Sequence, residues 1–377
     1  MKTGGSVWPV FYLSKFDLHK LLDILQPKMI PVHERLPVNL LAACFNNTAA
    51  AYKFYWFLAI LEEVENGQYR IPKQRLFTGM VAASWYTINY FKISFGKQDQ
   101  LHVKVEEIAA AEEINIDEDR NKIKQLIGGN NSLLTQKLLW HFDKQVPHRF
   151  LSPWFPAIAE NRSGVYQASQ TFENDCLYAV DQTHVIINPI WVDYLSANVG
   201  ILKSFCYWRL SLYLQRHNPN VPDIPNKLIK PAKRNGLVKQ RKVWEVVIEE
   251  LGGVDCIYTN QKLHKSGFAV EHFIPYAFVS HDLLWNLIPA CPSFNSSKSD
   301  KLPQLEKYFD AFYGLQKTAI EIMKYRTPKE KLLEDYLSIF PDLENVTELP
   351  DAYKLKFKST IEPLITIAGN NGFEFMA

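Results

Sequence analysis

The sequence predicts an α+β fold that is predominantly α-helical: an N-terminal helical domain, a small mixed module, and C-terminal helices. Two observations point there. Apolar residues recur at helical spacing through most of the first two hundred positions and again after residue 303, and short alternating runs near 177–188 and 269–290 interrupt them. A length of 377 residues suggests two or three folding units, at about 150 residues each. The 47% apolar and 22% charged shares are ordinary globular values, and a chain this long buries a core without metal or disulfide staples. Disordered, collagen-like and disulfide-scaffold classes are excluded.

The opening MKTGGSVWPV lacks the basic flank and apolar run of a secretory signal. Leu18, Leu21, Leu22 and Leu25 repeat at i, i+3, i+4 and i+7, a helix that Pro27 stops. Phe54, Phe57, Leu58 and Leu61 form a second stripe, with Asn47 or Thr48 as its N-cap. Lys53 breaks the most apolar stretch, Ala49 to Leu61, so no membrane span is expected and the reading is a cytoplasmic protein. Residues 76–95, with Met80, Trp85, Tyr90 and Phe91, read as a buried helix, and Glu106 to Arg120 as a solvated helical face or loop. Gly128-Gly129-Asn130-Asn131 is a turn with no following Gly-Lys-Ser/Thr, so it does not support a phosphate-cradling loop. Tyr178–Val180 and His184–Ile187 around Asp181-Gln182-Thr183 read as a hairpin, followed by a helix from about Trp191 to Arg216.

His217 to Pro225, with three prolines and two asparagines, marks a domain edge. The expected organisation is a helical domain over 1–216, a basic connecting segment over 217–250, a module over 251–326, and a helical tail over 327–377. Overall charge is +2 and says little about partners. Local clustering says more. Lys227, Lys230, Lys233, Arg234, Lys239, Arg241 and Lys242 occur with no acidic residue among them, a pattern able to neutralise phosphates or to serve as a solvated linker. The five cysteines, Cys44, Cys176, Cys206, Cys256 and Cys291, are scattered and odd in number, as expected in a reducing compartment. After residue 303, Leu305, Phe309, Phe312, Leu315, Ala319 and Ile322 form an apolar stripe. Thr327-Pro328-Lys329-Glu330 then reads as a capping box opening a helix to about Phe340.

The chemistry concentrates between Asp255 and Pro303. Val270-Glu271-His272-Phe273-Ile274-Pro275, Trp285-Asn286-Leu287-Ile288-Pro289 and Asn295-Ser296-Ser297-Lys298 follow one another, led by Cys256-Ile257-Tyr258. Alternation over Ala269–His272 fits a short strand, Leu287–Ala290 a second, and Pro292-Ser293 punctuates the chain before a helix carrying Asn295 and Lys298. This constellation resembles the HNH endonuclease family in its asparagine-ending variant, and in particular the HNH domain of type II CRISPR effector nucleases.

That resemblance implies a ββα-metal fold and hydrolysis of a phosphodiester. It implies His272 as general base, Glu271 and Asn295 as ligands of one Mg²⁺ or Mn²⁺, and Asn286 as the residue that pins the loop and orients His272. Lys298 reads either as a surface cation or as a contact to the substrate phosphate. A histidine titrates near neutral pH and can act as a base there, and hard cations take oxygen ligands. Asp282 and His281 lie in the loop without an assigned role. Many family members bind structural zinc through two Cys-x-x-Cys pairs. Here Thr259 and Phe294 stand where the second thiols would be, so structural zinc is not expected, even with His264 or His281 nearby. Packing of Tyr258, Phe268, Phe273, Phe278, Trp285 and Phe294 is expected instead.

The functional expectation is a metal-dependent endonuclease acting on DNA, with RNA open as a target. Its role would be a bacterial restriction or anti-phage effector, with a defence-system protein or a second copy of the chain as partner. A mobile-element endonuclease and an inactive HNH fold that only binds nucleic acid are the alternatives.

Overall fold

The computed structural model describes residues 30–46, 48–129, 132–230, 236–346 and 349–376. Helix accounts for 59% of it, with a few small antiparallel sheets. The class is α+β and predominantly helical, as the sequence implies. Among the described residues no helix is long and apolar enough to cross a membrane. The expected helix around Leu18 to Leu25, the candidate cap Asn47, and the cations Lys233 and Arg234 lie outside the described residues.

The chain divides into two compact units, and the division is not a single cut. The first unit holds residues up to 83, 99–104 and 121–210; the second holds 84–98, 105–120 and 211–377.

In the first unit, a three-stranded antiparallel sheet has His184–Ile187 at its centre, between Arg70–Pro72 and Tyr178–Val180. The hairpin turns where the sequence places it, because Asp181 Oδ1 accepts from the amides of Thr183 (2.7 Å) and His184 (2.6 Å). The Tyr52–Glu65 helix packs an aromatic core in which Phe45, Phe54, Phe57 and Phe150 meet ring to ring. Trp56 Nε1 donates to the Tyr178 hydroxyl, which donates onward to the Pro147 carbonyl. The helix starts at Ala51 without a side-chain cap, so Thr48 does not cap it. Instead the Asp99 carboxylate accepts from the Ala51 amide at 2.6 Å.

The region expected as one buried helix over 76–95 ends as α-helix at Trp85 and continues as a π-helical turn, Tyr86–Tyr90, in the second unit. The Leu305–Arg326 helix buries Phe309, Phe312 and Ala319 of the expected stripe, together with Tyr308, Tyr313, Gln316, Ile320 and Met323. Phe312 stacks on Phe273 at 3.8 Å between ring centroids, and packs with Phe357 of the Ala352–Asn370 helix. The expected helix from Thr327 to Phe340 is not formed; a 3₁₀ segment, Lys331–Tyr336, stands in its place. The reason is local. Thr327 turns its hydroxyl back to the Met323 carbonyl at the end of the preceding helix, which leaves Glu330 to cap through the Leu332 amide.

Candidate active site

Strands Ala269–His272 and Leu287–Ala290 pair antiparallel, with Glu271 opposite Ile288 and His272 opposite Leu287. The Pro292–Lys298 helix follows and packs on the first strand. Alternation puts Glu271 and His272 on opposite faces of that strand, yet both are nearly buried, at 3% and 9% exposure. The chain beyond His272 is clamped by Asn286. Its backbone carbonyl accepts from the Phe273 amide, its Oδ1 from the Ile274 amide, and its Nδ2 donates to the Ile274 carbonyl, each at 2.8 Å. Asn286 is wholly buried, so its amide substitutes for a neighbouring strand. Asn286→Ala strands both Ile274 backbone groups, at about 1–3 kcal/mol for each unsatisfied group. We expect a fall in unfolding free energy of about 2–4 kcal/mol in urea denaturation, and an unchanged midpoint would refute the clamp.

Glu271 is held by two donors. Lys298 Nζ meets Oε1 at 2.5 Å, and the Tyr258 hydroxyl donates to Oε2 at 2.9 Å. Burial, and the adjacent Glu271 charge, push the Tyr258 phenol well above its ordinary range, so it stays protonated and donates. Lys298 also donates to the His272 carbonyl at 2.9 Å. Its side chain is fully buried, which corrects the expectation of a surface cation. The geometry explains why: the helix packs on the strand, and the ammonium finds a carboxylate and a carbonyl there.

His272 does not touch Glu271 through its ring. Nε2 lies 2.9 Å from Asp282 Oδ1, and the ring meets Tyr276 edge to face at 5.6 Å. Burial, followed by the charge of His272, lowers the neighbouring His281 to about 4, so that ring is neutral at physiological pH. Asn295 is not a helix cap, since Cys291 occupies that position. Its side chain makes no hydrogen bond among the described residues and lines a cleft of about 690 Å³ with Glu271, His272, Tyr276, Ser299 and Asp300. Tyr90, Ile116, Asp117, Gly236 and Leu237, from other parts of the same unit, complete the wall. Sequence reasoning placed Tyr258 in the lead-in to the motif and in its packing, but not as a partner of Glu271, and it gave Tyr90 and Asp117 no part in this site. No local pattern marks Tyr90 and Asp117, because segments distant in the chain bring them to the cleft. Asp282 carried a weak signal, as a carboxylate in the loop after His272.

Where the second zinc-binding thiols would be, Phe294 stacks on Tyr258 at 4.6 Å. Cys291 donates its backbone N–H towards Cys256 Sγ at 3.5 Å and its thiol to Gln261 Oε1 at 3.1 Å. Of the six aromatic side chains expected to pack this region, Phe268, Phe273, Phe278 and Trp285 are buried, and Tyr258 and Phe294 are half-buried.

Residues 256–304 match the family model described as HNH endonuclease. This segment is an HNH endonuclease domain. No curated protein and no solved structure matches the chain. A domain of this family implies a nucleic-acid substrate and supports nuclease activity. HNH nucleases are typically dependent on a divalent metal. Among the described residues, no group of three or more His, Cys, Asp or Glu side chains gathers in a way that could hold a metal ion.

Upstream of the HNH domain, the basic segment is less free than its composition implies. Lys227 is buried, its ammonium on the Pro222 carbonyl, and burial pushes it down to about 8. Lys230 donates to the Tyr86 hydroxyl and the Asp117 carbonyl, both at 2.6 Å, with its ammonium over the Tyr86 ring. Arg241 bonds the Phe268 carbonyl at 2.7 Å, pairs with Glu245, and stacks over the Phe268 ring. Lys239 and Lys242 are exposed. Seven uncompensated cations therefore overstates the surface charge of this stretch.

Proposed function

We propose that the chain is a metal-dependent endonuclease that hydrolyses DNA phosphodiester bonds. His272 serves as general base, and Glu271 and Asn295 hold one divalent cation, Mg²⁺ or Mn²⁺. The observation that supports this most is the convergence of an imidazole, a carboxylate and an amide oxygen on one cleft within the HNH segment.

The donor set suits a hard cation. An ionised carboxylate offers about four lone-pair sites, of which Lys298 and Tyr258 use two on Glu271, and Asn295 brings an oxygen with no internal partner. An ion held by Glu271 and Asn295 would polarise the phosphate and relieve charge on the departing 3′-oxygen. His272 takes the proton of the attacking water. Asn286 holds the backbone after His272, so that the ring keeps its place at the cleft. Tyr258 fixes the Glu271 carboxylate, and Lys298 screens its charge from the base. Products carry 5′-phosphate and 3′-hydroxyl ends. Lys239 and Lys242, with Lys233 and Arg234, supply phosphate contacts that position the substrate without reading its sequence.

A role as a restriction or anti-phage effector follows from the joining of an HNH domain to a separate helical unit. An adjacent ATPase or methyltransferase gene supports that role, and mobile-element genes at that locus support the alternative.

One observation favours a second reading, a domain that binds nucleic acid without cutting it: Lys298 already neutralises the carboxylate that would attract the metal. Supercoiled plasmid and a matched RNA, each incubated with Mg²⁺, Mn²⁺ or a chelator, separate the two. We expect nicked circles with either ion and none with the chelator. Retarded but intact plasmid under every condition would favour the binding reading.

A further inference from the structure

The geometry points to Asp282 as the positioning residue of His272, fixing which ring nitrogen serves as the base. The proposal rests on the nuclease reading for its catalytic consequence, and on the geometry alone for the state of the ring.

The 2.9 Å contact joins Nε2 to Asp282 Oδ1. A carboxylate oxygen facing Nε2 at this distance is satisfied by a proton on that nitrogen, which leaves the ring's lone pair on Nδ1. Nδ1 makes no hydrogen bond among the described residues, nor is it among their buried atoms lacking a partner, and His272 lines the cleft. The nitrogen without a protein partner is therefore the unprotonated one, on a ring that lines the cleft, as a general base requires.

The loop that carries Asp282 is built to hold it. Ser280 opens the loop in the left-handed region, at φ 56°. Gln240 Nε2 donates to the Asp282 carbonyl at 3.0 Å, and Asp335 Oδ2 accepts from the Leu284 amide at 2.8 Å. Gln316 donates to the carbonyls of Leu284 and Leu287, and Tyr336 anchors Gln316. Gln240, Gln316, Asp335 and Tyr336 all lie outside the 256–304 segment and reach into its loop. An incidental surface pair would need no such frame, because exposed pairs are worth little.

Asp282→Asn is the decisive change, because it keeps the shape of the side chain while adding an N–H donor. An amide can donate to a bare Nε2 and so stabilise the Nδ1–H tautomer, which has no lone pair for water. Two measurements on the full chain test this. The first is ¹⁵N chemical shifts of labelled histidines without metal or nucleic acid, with the His272 signals identified by their loss in His272→Ala. The second is plasmid nicking kinetics.

The proposal expects Nε2–H in the wild type, a population of Nδ1–H in Asp282→Asn, and a fall in kcat of about 10- to 10³-fold with KM unchanged. Unaltered His272 shifts and unaltered kcat in Asp282→Asn would overturn it, since a residue that only fills space tolerates its isostere. If the wild type does not cut, the nuclease reading fails separately. The shifts then decide alone: movement in Asp282→Asn supports the proposal, and none overturns it.

Discussion

His272→Ala is expected to lower plasmid nicking by about 10²- to 10⁴-fold, the range that a positioned general base contributes. The loss should leave the fold nearly intact. The ring makes one side-chain hydrogen bond, to Asp282, and one edge contact, to Tyr276. The groups that hold the surrounding backbone belong to Asn286 and Lys298 and are untouched by the change. Circular dichroism melting of both proteins, beside a time course of nicked circles, checks the two halves of the prediction. Equal nicking by wild type and variant would reject His272 as the base. A large drop in melting temperature would transfer the lost activity to the fold.

Lys298→Met is expected to destabilise the metal-free protein by about 3–5 kcal/mol, the usual effect of removing one partner from a buried ion pair. The ammonium is fully buried. Its loss leaves the Glu271 charge facing only Tyr258 and strips the His272 carbonyl of its donor. The same change should improve divalent-ion binding, because the competing cation is gone. A ligand at a hundred times its Kd restores about 2.7 kcal/mol. Thermal unfolding in chelator and in Mn²⁺ reads both effects. The variant should melt well below wild type in chelator and recover most of the difference in Mn²⁺, while wild type responds less. A variant that melts like wild type in chelator would refute the buried pair. One that ignores Mn²⁺ would refute Glu271 as a ligand.

Much of the fold was legible because local chemistry set it. The Tyr178–Val180 and His184–Ile187 hairpin follows from alternation and from an aspartate that closes its turn. The strands Ala269–His272 and Leu287–Ala290 and the Pro292–Lys298 helix have the bounds that their proline punctuation and apolar runs imply. What was not legible depends on contacts far apart in sequence. Asn295-Ser296-Ser297-Lys298-Ser299-Asp300 is uniformly polar, and nothing within it shows that one lysine turns inward. Residues 84–98 and 105–120 belong with the C-terminal unit, a grouping that no composition shift announces. Thr327 to Glu330 satisfies a helix-start pattern, yet the preceding helix claims the threonine first. At the candidate site, residue types were readable from the motif, whereas the pairing of Glu271 with Lys298 and of His272 with Asp282 was not. Spacing along a chain does not say which of several nearby charges meet.

The struts that reach the Asp282 loop from Gln240, Gln316 and Asp335 bear on how portable this domain is. A fragment cut at the limits of the family segment would take the imidazole and its neighbours along and leave their scaffolding behind. Evolution or an engineer moving this chemistry to another host would have to transplant the flanking helices with it.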